Sequence, residues 1–151
     1  MTDYSVPGES VITGLTGHRF PGGSYTVEHW ENALLTECTG AELLPNDMVH
    51  PVALFHMPIF GAGTSIAEMF ALGQAESDLS IMIESYDWEI FIPLKEEICY
   101  SISGEISSAE RRNSAQLNVH DRIQFRFEIH NPEKIIAARS TITWLYTRNT
   151  L

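Results

Sequence analysis

From residue 77 onward the apolar residues of this chain recur at a period of two, and this constrains the fold more than any other feature. "LSIMIESYDWEIFI", "EEICYSISGEIS", "SAQLNVHDRIQFRFEIH" and "KIIAARSTITWLYTR" are rich in Ile, Val, Thr and aromatic residues, which suit a pleated, half-buried surface. In the third, Ile123, Phe125, Phe127 and Ile129 share one face while Gln124, Arg126 and Glu128 share the other. A slip of one residue would turn that whole apolar row to water, so the register is strongly specified. "NPEK" at 131–134 predicts a turn that folds the last two strands into an antiparallel hairpin. A sheet of this kind needs an apolar element laid across one face.

The first half of the chain supplies helices. Residues 1–24 are loop-rich, with Gly8, Gly14, Gly17, Pro21, Gly22 and Gly23, and predict at most a short strand at Ser10–Thr13 or His18–Phe20. "YTVEHWENALLTECTG" predicts an amphipathic helix, with Thr26 as N-cap, Val27, Trp30, Leu34 and Cys38 as its apolar stripe and Gly40 as its stop. A second helical stretch runs from Asp47 to Met57. Pro51 fits its first turn, where an N–H would be unbonded anyway, and Pro58 ends or kinks it. Ser65 and Glu68 form a capping-box pattern for a third helix over Ile66, Met69 and Phe70 that stops near Gly73. The reading is an α+β chain of one domain, residues 1–151, with Met48–Phe60 lying on the sheet.

Charge excludes some functions. With 9 Lys and Arg against 20 Asp and Glu the formal charge is -11, and only Arg111 and Arg112 are adjacent. Nucleic acid and anionic membrane surfaces are therefore poor partners. "MTDYSVPGES" has neither a basic nor an apolar leader region, and no apolar run reaches the roughly 20 residues of a membrane span. A cytoplasmic protein is expected. Cys38 and Cys99 show no CxxC or His-paired spacing, so buried reduced thiols are expected, with no metal and no cofactor.

The stretch "LLPNDMVHPVALFHM" carries the most chemistry. Asp47 and His50, at i and i+3, read either as an acid/base pair sharing a water or as a helix cap with a histidine in its first turn. His56 lies six residues further on and faces another side. Glu42, His50 and His56 match no recognised metal-ligand spacing. Glu84, Tyr86, Asp87 and Glu89 form an acidic and aromatic patch along a strand, which reads either as a solvated face or as the edge of a ligand tunnel. His120 and Asp121 read as a turn or bulge. Ser65 lacks a nucleophile elbow, and "GAGTS" lacks the Lys of a phosphate loop.

Several strings, in order, make the chain resemble the MaoC-like hot-dog superfamily, which includes (R)-specific enoyl-CoA hydratases and 3-hydroxyacyl-thioester dehydratases. "GHRFPGGSYTVEHWENALLTECTG" is similar to the family's G-x-x-F, helix start and A-x-x-S/T-G helix end. Val49-His50-Pro51-Val52 is similar to the V-H-G-M that starts its central helix, and "YDWEIFIPLKEEI" to its aromatic strand ending in P-L/V-x-x-G-D. The resemblance implies a hot-dog domain, with a long antiparallel sheet wrapped around a central helix, and pairing through sheet edges.

The resemblance also implies what is missing. Active members carry S-G-D-x-N-P-x-H after the first helix, and here Ala41 stands in place of the Asp. In active members the Gly of V-H-G-M offers its N–H to the thioester oxygen, and Pro51 has none. Silent halves of double or heterodimeric members resemble this chain. The expectation is a non-catalytic or partner-dependent subunit of an acyl-CoA or acyl-ACP hydratase-dehydratase, homodimeric or paired with a dyad-bearing subunit. In it Pro51, His56, Tyr86 and Trp88 would touch substrate, and Asp47 and His50 would be catalytic only if the chain is active. A self-sufficient hydratase or thioesterase using Asp47, Glu42 or His50, and a non-enzymatic acyl-binding module, are the alternatives.

Overall fold

The computed structural model describes residues 4–148. Short helix α1 (Glu9–Thr13) is followed by strand β1 (Gly23–Thr26) and helix α2 (His29–Cys38). A 3-10 turn (Pro51–Phe55) leads into α3 (Met57–Gly61) and α4 (Ile66–Leu72), and the remaining strands are β2 (Ile81–Ile90), β3 (Cys99–Ser114), β4 (Asn118–His130) and β5 (Ile136–Thr147). The five strands form one antiparallel sheet in the order β1-β3-β4-β5-β2.

The period-two segments become strands in the predicted faces. Ile123, Phe125, Phe127 and Ile129 are all fully buried, and Ile102, Ile106, Ala138 and Ile142 lie beside them in register. "NPEK" is the β4–β5 turn: the Asn131 side chain accepts from the Ile135 amide, and Lys134 takes a φ of 64° to close it. Across the apolar face lies the segment 51–61, burying Ala53, Leu54, Met57 and Ile59. Pro58 falls in the first turn of α3 rather than ending a helix. The central element is therefore broken at His56 into a 3-10 turn and a short α-helix, since a Pro at 58 offers no N–H to continue a single helix through 54–58.

Helix α2 differs from expectation in a telling way. Its N-cap is Glu28, because Thr26 is taken up in β1 opposite Cys99. Its apolar stripe faces out, with Trp30 61% and Leu34 54% exposed, while polar Asn32 and Thr36 face in at 1% and 2%. The reason is that Asn32 has backbone partners beneath the helix that only an amide can satisfy, as shown below. Cys38 and Cys99 are both exposed, not buried.

Two further expectations are corrected. Ser10–Thr13 belongs to α1, and Arg19 makes only an isolated bridge with Glu105. His120 and Asp121 are not a turn: both are buried within β4. Asp121 Oδ1 and Oδ2 accept from Arg111 at 2.8 and 2.9 Å, and Oδ2 accepts from Arg148 Nε at 2.8 Å. Arg148 also donates to the carbonyls of Gly73 and Gln74 and to the Tyr4 hydroxyl. One buried carboxylate thus ties β3, β4, the end of β5, the end of α4 and the N-terminal segment.

Candidate functional site

The start of the central element is held by one side chain of α2. Asn32 Oδ1 accepts from the His50 amide at 2.9 Å, and its Nδ2 donates to the Met48 carbonyl at 3.1 Å and to Glu96 Oε1 at 2.6 Å. Glu96 Oε2 in turn accepts from His29 Nδ1 at 2.8 Å. Asn32 and then His29 hold the Glu96 carboxyl below its ordinary range, and the same carboxylate raises His29 above 6.5. The stabilisation from a raised histidine is complete below its unfolded value and is lost as pH rises through the folded one. An NMR titration is expected to place His29 above 6.5, and Glu96→Gln to return it towards that value; an unchanged His29 in the variant would contradict the pairing.

Asp47 and His50 share no hydrogen bond. Asp47 sits in a turn with a φ of 56°, and its carbonyl accepts from the Glu96 amide. His50 is itself the N-cap of the 3-10 turn, its Nδ1 accepting from the Val52 amide at 3.1 Å. A side chain that bonds an N-terminal amide satisfies a group the helix leaves open. Here it does more. Pro51 has no N–H, the Val52 N–H is held by the His50 ring, and the Ala53 N–H goes to the His50 carbonyl at 3.1 Å. The first three positions of the turn leave no amide free for a ligand oxygen.

His56 joins a different group. Its Nε2 donates to Glu31 Oε1 at 2.9 Å, and the Tyr25 hydroxyl donates to the same oxygen at 2.6 Å. Burial, and then the Glu31 carboxylate, push the Tyr25 hydroxyl above its ordinary value. Tyr86 and Trp88 point to the inner face of edge strand β2, where Phe55 packs on both, with ring centroids 5.2 and 4.7 Å away. Burial raises the Tyr86 hydroxyl, and the Trp144 indole beside it pulls partly the other way. Glu84 and Glu89, by contrast, face outward and pair with Arg122 and Arg139.

Phe55 is the residue that sequence reading passed over, since an apolar position two residues after Ala53 reads as core; it is 48% exposed. Glu42 lies in the exposed loop after α2. Among the described residues no group of three His, Cys, Asp or Glu side chains is placed to hold a metal, and no helix is long and apolar enough to cross a membrane.

Comparison by sequence finds neither a matching family model nor a matching curated protein. Comparison of structures does find similar folds. The truncated HadBC (3R-hydroxyacyl-ACP dehydratase) complex from Mycobacterium tuberculosis superposes with a TM-score of 0.68 over 89% of this chain and 98% of that one, at 11% identity. The chain has the hot-dog fold. The ChsH1-ChsH2 complex from the same organism matches this hot-dog chain with a TM-score of 0.68 over 95% and 92% at 13% identity. A MaoC-like dehydratase from Phytophthora capsici matches at 0.63 over 96% of this chain but 51% of its own, at 9% identity. The first two of these hot-dog structures are complexes of two differently named chains.

Proposed function

We propose that this hot-dog chain is a non-catalytic, partner-dependent subunit of an acyl-thioester hydratase-dehydratase that contributes to the acyl-binding tunnel. The observation that carries the reading is the closed start of the central element. Stabilising the enolate oxygen requires a donor aimed at it, and losing one such donor costs about 100- to 1000-fold in rate. Here Pro51 lacks the donor, His50 occupies the next one, and Asp47 and His50 share no hydrogen bond.

Two further features support a partner. Residues 20–94, which hold every helix from α2 to α4 and all of β2, contain eleven acidic residues and not one Lys or Arg. CoA and acyl carrier protein are both anionic, so a partner chain that supplies more cations would strengthen their docking. Strand β2 is also an open sheet edge ten residues long, with Met82, Ile83 and Ile90 at least 43% exposed. Edges of this kind pair unless they are covered, and a second hot-dog domain, identical or dyad-bearing, would cover it.

The isolated protein is expected to bind a saturated acyl-CoA in a calorimeter yet leave crotonyl-CoA unhydrated, and His50→Ala is expected to change neither result. Hydration by the pure protein that His50→Ala abolishes at unchanged stability would favour a self-sufficient enzyme instead.

A further inference from the structure

The inner face beside β2 holds polar atoms that the fold does not use. Ser140 and Trp88 are cross-strand neighbours on β5 and β2, and Ser140 Oγ and Trp88 Nε1 are buried with no hydrogen-bond partner among the described residues. Four residues along the same face of β5, Trp144 Nε1 faces the Tyr86 hydroxyl, a loose partner that pulls the Tyr86 pKa down. Ser140 is 0% and Trp144 2% exposed. Buried polar groups are nearly always bonded, because each one left unpaired costs about 1–3 kcal/mol. Ser140 Oγ and Trp88 Nε1, side by side on one patch of a five-stranded sheet, call for an explanation.

A second copy pairing at the β2 edge does not supply one. Ser140 and Trp144 lie on β5, which has β4 on one side and β2 on the other, so an added strand cannot reach them. The surroundings suit a ligand better. Phe55 lies across Tyr86 and Trp88, Phe70 and Phe125 pack on Trp144 at 5.1 and 5.3 Å, and Phe55 is half-exposed, so a ligand that displaces its ring would reach the donors beneath. An indole N–H can only donate. The complement of this patch is an apolar body that carries an acceptor oxygen.

We propose that the Phe55, Tyr86, Trp88, Ser140 and Trp144 patch is a subsite for an oxygen-bearing portion of the acyl group, a keto or ring oxygen set well along the carbon chain. This rests on the acyl-thioester reading above for the rest of the molecule. Position argues for a distal oxygen: Phe55 stands four residues beyond Pro51, roughly 8 Å along a 3-10 turn, so the patch lies several methylenes from a thioester held at the start of that turn. A saturated chain would leave the donors unpaired, and a protein that builds donors into a pocket discriminates against ligands lacking the matching acceptor.

The test uses the Trp30→Phe protein, in which Trp88 and Trp144 are the remaining indoles, titrated by calorimetry and fluorescence with dodecanoyl-CoA, 8-oxododecanoyl-CoA and carrier-free dodecan-6-one. The oxo-thioester is expected to bind about tenfold tighter than the saturated one, the difference that one to two neutral hydrogen bonds produce, with a change in indole emission. Ser140→Ala and Trp88→Phe should erase that preference while leaving dodecanoyl-CoA affinity unchanged. Equal affinity for the two thioesters would overturn the subsite and leave the acyl-thioester reading standing. Binding of dodecan-6-one alone would uphold the subsite and sink that reading, and binding of none of the three would overturn both. Ser140→Ala is also expected to keep or raise Tm, because it deletes an unpaired hydroxyl; a lowered Tm would show that the hydroxyl has a structural partner and remove the basis of the proposal.

Discussion

Asp121→Asn is expected to cost the protein about 3–5 kcal/mol, the range for breaking a buried ion pair by removing one partner. The side chains of Asp121 and Arg148 are both 0% exposed, and Arg111 approaches from a partly open side at 18%. With Asn at 121, two guanidinium groups lose their counter-charge, and Arg148 cannot swing to water without abandoning the carbonyls of Gly73 and Gln74. The comparison that sharpens the expectation is Glu84→Gln. Glu84 pairs with Arg122 through a bidentate contact, but at 35% and 19% side-chain exposure, and surface pairs are worth about 0–1 kcal/mol. Urea unfolding of the two variants should therefore differ several-fold in lost stability. Equal losses would show that the buried triad carries no special weight.

Phe127→Ala is the second large effect, expected at about 3–5 kcal/mol for a fully buried ring. Its counterpart is Gly104, the residue opposite in register, where an added Cβ would lie 2.5 Å from Phe127 Cδ1 and 3.1 Å from Phe20 Cδ2. Phe20 stacks on Phe127 at 5.7 Å, so neither ring has space to yield, and Gly104→Ala alone is expected to cost about 1–3 kcal/mol by overpacking. In the Phe127→Ala background the same methyl enters vacated space. The double variant should then be more stable than the sum of the single losses allows, and strict additivity in a double-mutant cycle would contradict the packing described.

The sheet was legible because its signal is local. Alternation at 123–129 names the buried face without reference to anything else in the chain, and "NPEK" carries its own turn chemistry. The errors concern residues whose partners are distant in sequence. Asn32 faces inward because Met48, His50 and Glu96 wait for it, so the outward stripe of Trp30 and Leu34 inverts the amphipathic reading of α2. Asp121 reads as a polar break until Arg111 and Arg148 are brought to it from 10 and 27 residues away. Thr26 has good capping chemistry, but its pairing with Cys99 in β1 excludes it from the cap.

The candidate site was legible in part. Pro51 announces the missing amide from its residue type alone, whereas the occupation of the Val52 amide by His50 depends on a ring orientation that no spacing rule supplies. Tyr86 and Trp88 stand out along a strand that alternates, but Phe55 is hidden inside an apolar run. Ser140 offered the one visible signal for the inner patch: a hydroxyl at an inward position between Ala138 and Ile142.

On the proposed function, this hot-dog chain lacks the machinery for hydration and lends its acyl-facing surface to a chain that has it. The direct measurement is crotonyl-CoA hydration by the pure protein, by a hot-dog subunit carrying the S-G-D-x-N-P-x-H string, and by the two combined, with size-exclusion chromatography of the mixture. The expected result is no turnover alone and a co-eluting pair whose activity exceeds that of the dyad-bearing chain. Turnover by the pure protein, or failure to pair with and activate every such subunit tried, would contradict it.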